Sequence, residues 1–242
     1  MAGHSKWANI KHRKAAVDKK RGKIWSRLAK NIIVAARIGG GDARANNRLA
    51  DAITEARKEN MPAGNIDRAI KRGTGELKEA DPEELLYEGY APGGVAIIVE
   101  ALTDNRKRTA PDIKHIFDKQ GGNLGATGSV MHGFDRKGII VIEQTDDTPP
   151  EEELMMLVAD AGAEDLIAGE GMFTVTTPAT ELETVKKALA AKGVEWLEAQ
   201  LEYIPQAKVE VDAETAEKVN RLVETLEDYG DVQNVYTNHE PA

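Results

Sequence analysis

The nine residues GVAIIVEAL, at positions 94–102, predict a β-strand because β-branched and other apolar side chains dominate them. The loop TDNRKRT (103–109) follows, and it leads into a helix that carries Pro111 near its first turn and turns its apolar side chains inward. A glycine-rich loop, GNLGATG (122–128), comes after that helix. These elements begin a β-α unit that needs further strands to complete its sheet.

The missing strands are predicted at the far end of the chain. Between residues 138 and 203 the sequence predicts β-α-β-β-α-β, the order of a split βαβ unit. The strands of this segment are predicted at 138–143, 164–168, 172–177 and 195–203, and its helices at 151–160 and 179–191. After Pro205 a last β-α-β stretch (208–211, 214–229 and 232–236) has no partner of its own. We expect it to complete the unit that residue 94 begins.

The front of the chain predicts three helices. The first begins near Asp18 and ends at the glycines 39–41, with an apolar stripe on one face and basic side chains on the opposite face. Asp42 is predicted to cap the second helix, and the third covers about 65–72. Three helices of these lengths predict a small bundle that leaves its positive charge outside.

Charge separates sharply along the chain. Up to Lys78 there are 19 lysines and arginines against 7 acidic residues, and from Glu79 onward there are 13 against 34. A change this abrupt indicates a domain boundary and different partners for the two parts. We therefore predict an α+β protein with an N-terminal three-helix domain followed by two ferredoxin-like α/β sandwich domains, one inserted in the other. The predicted domains are a basic helical domain with a mobile tail (1–78), a discontinuous α/β domain (79–136 plus 205–242) and an inserted βαββαβ domain (137–204).

Several classes of function are disfavoured by composition. The chain has no cysteine, which excludes disulfides, thiol nucleophiles and thiolate metal sites. The N-terminus lacks the apolar region of a secretory signal and no apolar run approaches a membrane span, so we expect a cytoplasmic protein. The five histidines show no metal-ligand spacing, and the acids around Pro149 and Pro150 suit the first turn of a helix. We expect no catalytic residues, metal, cofactor or small-molecule substrate.

The basic tail and first helix are the leading candidate for binding a polyanion. Each cation that neutralises a phosphate releases counterions, which favours binding to nucleic acid. A solvated helix face explains a charge stripe alone better, and basic amphipathic helices also bind membranes. Here the tail, the stripe and the charge excess coincide, and partner helices use the apolar face. For Trp7 two roles stay open, stacking on a base and anchoring the tail.

A second candidate lies in the acidic part of the chain. Arg106, Lys107 and Arg108 form the only triple basic cluster there. A solvated loop and a second polyanion contact explain this cluster about equally well. The nearby glycine-rich loop has the glycines of a phosphate cradle, but it lacks the lysine that would complete one.

Several long blocks of the chain resemble a known family. The blocks MAGHSKWANIKHRKAAVDKKRGK, IVAARIGGGD, NMPAGNIDRAIKRGTGE, YEGYAPGGVAIIVEALTDNRKRT and GGNLGATGSV closely resemble the YebC family. The resemblance is near-continuous from Met1 to about Gly138, and beyond it only the order of elements fits. It implies a cytosolic protein with a helical front domain and two α/β domains, without known catalytic activity. Family members are described as DNA-binding transcriptional regulators and as ribosome-associated factors, and the mitochondrial relatives are translational activators.

The resemblance also implies where nucleic acid binds. The family's basic tail matches residues within 6–23 of this chain, and its basic loop matches Asn105, Arg106 and Arg108. One departure is Met131-His132-Gly133, where the family pattern has an aromatic and then a bulky residue, so a contact supported there would be altered. The predicted nucleic-acid-binding residues are Lys6, Trp7, Lys11, His12, Arg13, Lys14, Lys19, Lys20, Arg21, Lys23, Arg27, Lys30, Asn105, Arg106, Lys107 and Arg108.

We predict a non-enzymatic nucleic-acid-binding regulator of gene expression, acting as a DNA-binding transcriptional regulator. The alternative is a ribosome-associated translation factor that binds ribosomal RNA and aids synthesis of difficult stretches such as proline runs. The case for duplex DNA is weaker in one respect, because no helix-turn-helix spacing or dimer zipper is visible in the sequence. A tail that mixes glycine, histidine and tryptophan with lysine suits irregular RNA at least as well. No sustained heptad is visible, and we expect a monomer.

Overall fold

The computed structural model describes residues 21–77, 82–169 and 171–241, and the side chains of residues 21–23 and 241 lie outside this description. Residues 132–208 form one compact unit. The described residues from 21 to 131 and from 209 to 241 form a second unit. The predicted α+β class is confirmed, while the division into three domains stays a prediction.

The front of the second unit is a bundle of three helices around a common apolar core. The helices are α1 (Arg21–Gly39), α2 (Asn47–Lys58) and α3 (Ala63–Gly73). The core contains Leu28, Ile32, Leu49, Ile53 and Ile66. The helix α1 ends at the predicted glycines, where Gly40 has a φ of +83° that other residues rarely adopt. Its predicted start near Asp18 lies outside the described residues.

The cap of α2 differs from the prediction. Asn46, not Asp42, caps the helix, because the Asn46 side chain accepts a hydrogen bond from Leu49 N at 3.1 Å. The same side chain donates to Ala35 O and ties α2 to the end of α1. Asp42 instead bonds Arg44 in the preceding turn, with Arg44 N at 3.0 Å from Oδ1. An acid in front of a helix pattern marks a turn as readily as a cap.

The chain then forms two strands that the sequence did not predict, one before residue 94 and a short one within the predicted glycine-rich loop. The elements are β1 (Glu83–Tyr90), a 3₁₀ turn at Pro92–Gly94, β2 (Ala96–Thr103), α4 (Arg106–Lys119) and the short β3 (Asn123–Leu124). Antiparallel pairing joins β1 to β2 along its whole length, from Glu83 opposite Thr103 to Tyr90 opposite Ala96. The sequence of β1, EELLYEGY, is rich in glutamate, which is depleted in strands. Its pairing with the buried β2 outweighs that weak propensity.

Residues 132–208 fold as the predicted β-α-β-β-α-β unit. Its elements are β4 (Phe134–Glu143), α5 (Glu151–Asp160), β5 (Asp165–Gly169), β6 (Met172–Pro178), α6 (Leu182–Ala191) and β7 (Glu198–Pro205). The sheet is antiparallel with the order β5-β6-β4-β7, which is ferredoxin-like. Both helices cover one face through a core that includes Ile140, Leu154, Phe173 and Leu189.

The end of the chain returns to the second unit. Its elements are β8 (Val209–Val211), α7 (Ala213–Glu227), β9 (Val232–Thr237) and β10 (His239–Pro241). As predicted for the end of the chain, β9 pairs with β2, so that the sheet order is β3-β1-β2-β9. The strand β8 differs from the prediction, because it leaves this sheet and pairs in parallel with β10. Helices α4 and α7 share a core with β2 that contains Ile97, Val99, Ile113, Phe117, Val219 and Leu222.

Candidate nucleic-acid interface

Most of the predicted basic tail lies beyond the part of the chain that the structure describes. Lys6, Trp7, Lys11, His12, Arg13, Lys14, Lys19 and Lys20 all precede residue 21. Arg21 and Lys23 belong to the first turns of α1, although their side chains are not described. Nucleic-acid binding by these ten residues therefore stays a prediction.

The basic face of α1 packs inside the second unit. Arg27 Nη1 donates to Gln233 O at 3.1 Å, at the start of β9. Lys30 Nζ donates to Leu102 O at 2.9 Å, at the end of β2, and Arg37 Nη2 donates to Pro82 O at 2.8 Å. Between them Val34 is only 1% exposed. The expectation that this face is left to solvent is wrong for Arg27 and Lys30, which are half-buried on the stripe that meets the sheet, whereas Arg37 is exposed as expected.

The reason for this packing lies in the carbonyl groups at the strand ends. A backbone carbonyl that is partly removed from water needs a donor. Long cationic side chains can cover apolar surface with their methylene stems and still bring a donor to such an oxygen. Arg27 and Lys30 serve in this way, so their predicted contacts with nucleic acid stay predictions that these internal bonds disfavour.

A buried carboxylate joins α1 to the start of α4. Asp231, which is 6% exposed, receives Lys30 Nζ at 2.5 Å on Oδ1. Its Oδ2 accepts hydrogen bonds from Thr109 Oγ1 at 2.8 Å, Arg108 Nη2 at 3.0 Å and Thr103 Oγ1 at 3.1 Å. We call these five residues the Asp231 cluster. Burial alone would raise the pKa of Asp231, but the bonds from Lys30, Thr109 and Arg108 outweigh it and hold the pKa at about 2. The carboxylate is therefore charged at any physiological pH.

The predicted basic loop is the first turn of a helix. Helix α4 begins at Arg106, five residues before Pro111, and Asn105 caps it by accepting a hydrogen bond from Arg108 N at 3.2 Å. Pro111 therefore lies inside the helix, in its second turn, where it cannot donate the usual backbone hydrogen bond to Lys107 O. The triplet thus lies where the first amide groups of a helix have no acceptor within the helix.

The three cations of this turn differ in their partners. Arg108 donates to Asp231, which raises the pKa of its guanidinium, and its side chain is still 52% exposed. Arg106 and Lys107 are exposed, and neither side chain forms a hydrogen bond or an ion pair with any residue that the structure describes. A helix start that carries exposed cations attracts anions through both its side chains and its amide dipoles. This turn is the basic surface best placed for an external partner among the described residues that the sequence singled out.

The glycine-rich loop already holds an anion from the chain itself. The Glu88 carboxylate, on β1 and 3% exposed, accepts hydrogen bonds from Gly128 N at 2.6 Å and from Val130 N and Met131 N at 2.8 Å. Gly128 has a φ of +86°, which explains the glycine at that position. Met131 then begins the 3₁₀ turn Met131–Gly133. The amides of Gly128, Val130 and Met131 are thus occupied by Glu88, and the departure from the family pattern lies in this turn.

Sequence reasoning missed Asp231 and Glu88. Asp231 lies in the short stretch YGDV between a helix and a strand, where an acid usually serves a turn. Glu88 stands among other glutamates of an acidic stretch. No local sequence pattern distinguishes a buried carboxylate from an exposed one. Three partners of Asp231, namely Arg108, Thr109 and Thr103, are more than 120 residues away along the chain.

The described residues form neither a metal-ion site nor a membrane-spanning helix. Within residues 21–77, 82–169 and 171–241, no three or more histidine, cysteine, aspartate or glutamate side chains are grouped so that they could hold a metal ion. Over the same residues, no helix has both the length and the apolar character needed to cross a membrane.

The fold and this interface define an α+β protein in which the basic helix α1 is joined by hydrogen bonds and an ion pair to the sheet of the same compact unit. The chain belongs to the TACO1/YebC family. Residues 5–76 match the model described as the TACO1/YebC protein N-terminal domain, and residues 82–239 match the model described as the TACO1/YebC second and third domain.

Relatives of known sequence or structure agree over nearly the whole chain. A protein of Pelotomaculum thermopropionicum is 51% identical over 240 residues, covering 99% of both chains, and is named a probable transcriptional regulatory protein. A protein of Treponema pallidum with the same name is 52% identical over 98% of this chain and 96% of its own length. The crystal structure of a conserved hypothetical protein from Aquifex aeolicus superposes with a TM-score of 0.85 at 47% identity, covering 94% of this chain and 93% of that one.

Proposed function

We propose that this chain is a nucleic-acid-binding regulator of gene expression, and that it binds duplex DNA as a transcriptional regulator in the cytoplasm. The names of its relatives support the regulatory role. The observation that carries the binding role is the Lys30–Asp231–Arg108 connection, which joins the helix that continues the basic N-terminal segment to the basic first turn of α4. The first turn of α4 is thereby joined to α1 within one compact unit.

The chemistry of the proposed contact is phosphate neutralisation. In this proposal the basic segment 6–23 supplies most of the affinity, and Arg106 and Lys107 supply a second contact. Exposed cations release counterions from nucleic acid whatever its sequence, so this contact gives affinity and not base recognition. The carboxylates of the acidic body stay away from the phosphates. The proposal contains no catalytic step.

The test is a competition between the two polyanions that the chain could serve. Wild-type protein is sedimented with ribosomes at physiological salt, with and without an excess of duplex DNA. The control is a full-length variant in which Lys11, Arg13, Lys14, Lys20, Arg21 and Lys23 are changed to glutamine. We expect duplex DNA to remove the wild-type protein from ribosomes, and the variant to bind both polymers weakly.

Two results would count against this proposal. If the wild-type protein sediments with ribosomes despite the DNA, and the variant does not, then the partner is ribosomal RNA and the role lies in translation. If the variant binds as the wild type does, then the basic segment is not the binding surface at all.

A further inference from the structure

We propose that the exposed side of helix α5 is a docking surface for a cationic, partly apolar segment of another protein. We call this surface the α5 face, and it consists of Glu151, Glu152, Glu153, Met155, Met156 and Asp160. The inference goes beyond the proposed function, because it concerns a protein partner of the compact unit formed by residues 132–208 and not nucleic acid.

Two methionines of α5 are left in solvent. Met155 is 37% exposed and Met156 is 64% exposed. The opposite side of the helix supplies Leu154 and Val158 to the core of the unit, and neither methionine belongs to that core. Methionine is enriched in protein interfaces, and its flexible thioether side chain fits partners of varied shape. Two adjacent exposed methionines on one helix therefore indicate a surface that a partner covers.

The charge around these methionines has one sign. Residues 138–185 contain twelve aspartates and glutamates and no lysine, arginine or histidine. The four carboxylates of α5 are exposed, and none of them forms a hydrogen bond or an ion pair with any residue that the structure describes. The helix dipole stabilises the glutamates of the first turn but not Asp160 in the last turn. The negative charge of the α5 face is thus left for an external partner.

Another exposed helix of the chain treats its glutamates differently. In α7, Glu214 pairs with Lys218, four residues further along, and a second pair repeats this spacing. In α5 the residue four positions after Glu152 is Met156, and the residue four positions after Glu151 is likewise a methionine. Side chains at this spacing are neighbours on the surface of a helix. The α5 face thus places apolar side chains where α7 places the cations that neutralise its glutamates.

The sign of the charge decides which partner fits. Nucleic acid, anionic lipid and a second α5 face are all repelled, since like charges brought together across an interface oppose association. A protein segment that carries lysine or arginine beside apolar side chains satisfies both features of the surface. Its cations pair with the carboxylates, and its apolar side chains cover Met155 and Met156. The apolar contact supplies most of the affinity, because ion pairs that stay exposed contribute little.

The test uses a synthetic peptide of lysine, leucine and alanine and the full-length chain, with fluorescence anisotropy of the labelled peptide as the measure of affinity. One matched peptide has serine in place of leucine, and another has glutamate in place of lysine. We expect only the lysine–leucine peptide to bind. Met155→Gln with Met156→Gln should weaken that binding by about tenfold, as the loss of central interface side chains does. Ile38→Gln, which changes an exposed isoleucine of the other unit, is the control and should leave the affinity unchanged.

Nuclear magnetic resonance of the methionine methyl groups shows where the peptide binds. The chain has six methionines, so each methyl signal can be followed separately. We expect the signals of Met155 and Met156 to shift when the lysine–leucine peptide is added, and the signal of Met61, in the core of the three-helix bundle, to stay. Glu152→Gln with Glu153→Gln should lower the affinity and make it less sensitive to salt.

Four results would overturn the inference. If the serine peptide binds as tightly as the leucine peptide, the attraction is one of charge alone. If the double glutamine variant of the methionines binds as the wild type does, the α5 face is not the docking surface. If the wild type self-associates and the same two methyl signals shift without peptide, the occupant is a second copy of the chain. If the peptide binds only after the six cations of the basic segment are changed to glutamine, the occupant is that segment. Each of these results leaves the proposed function standing, because none of them measures binding to DNA.

Discussion

Two basic clusters of the second unit have similar residues and different surroundings. Arg27 and Lys30 on α1 are half-buried and donate to carbonyl groups of the protein, whereas Arg106 and Lys107 at the start of α4 are exposed. The difference comes from what packs against each helix face, since strand ends with carbonyl oxygens lie against α1. The comparison teaches that a basic stripe indicates a binding surface only where no acceptor of the same chain can reach it.

The largest expected effect is the loss of stability when a cation of α1 is removed. Changing Lys30 to methionine removes one partner from a buried ion pair, and we expect a loss of about 3 kcal/mol in the free energy of unfolding. Lys218→Met, which breaks an exposed pair with Glu214, should leave it nearly unchanged. Urea unfolding measures both. Equal effects would mean that the α1 stripe is as solvated as any surface lysine.

Buried and exposed groups can be compared in the same way for the glutamates of β1, since Glu88 is buried against backbone amides and Glu83 is exposed. A glutamine at position 88 keeps one acceptor oxygen and places an NH₂ group against backbone donors, so we expect a loss of about 2 kcal/mol in the free energy of unfolding. Glu83→Gln, at the exposed start of β1, is the control. A stable Glu88→Gln protein would show that the glycine-rich loop does not depend on an internal anion.

Acid should weaken the bonds between Asp231 and α1, whereas the exposed arginine and lysine of α4 keep their charge at low pH. The pKa of Asp231 in the folded protein is lowered to about 2 from an ordinary value of 3.8. Its stabilising effect is therefore complete above pH 3.8 and is lost as the pH falls toward 2, by about 1 kcal/mol after solvent screening. Denaturant midpoints measured across this pH window should fall more for the wild type than for Asp231→Asn. Parallel curves would contradict the assigned charge state.

The smallest effect is expected at the exposed cluster. Arg106→Gln with Lys107→Gln removes two cations from the positive end of the helix dipole, so the free energy of unfolding should change by less than about 0.5 kcal/mol, if anything upward. Thermal unfolding is sufficient to check this. A large loss of stability would mean that these cations serve the fold, as those of α1 do.

The accuracy of the sequence predictions follows the same distinction between local and long-range causes. The helix Glu151–Asp160 and the order of strands and helices along the chain around it were predictable because apolar periodicity is local. The strand β1 was missed since its glutamates disfavour a strand, which forms only through pairing with β2 and β3. The outward orientation predicted for Lys30 was wrong because its acceptors, Leu102 O and Asp231, are 72 and 201 residues away. Single-chain periodicity shows which face of a helix is apolar, but not what covers the other face.

The salt dependence of duplex DNA binding tests the central claim most directly. The affinity of the wild type is compared with that of Arg106→Gln with Lys107→Gln, and with a control that loses two other cations, Lys114→Gln with Lys218→Gln. If the α4 turn contacts two phosphates, the slope of log affinity against log salt should become shallower by about 1.8 in the first variant and stay unchanged in the control. Equal slopes in all three proteins would contradict the account, because the exposed cluster would then contribute no phosphate contact.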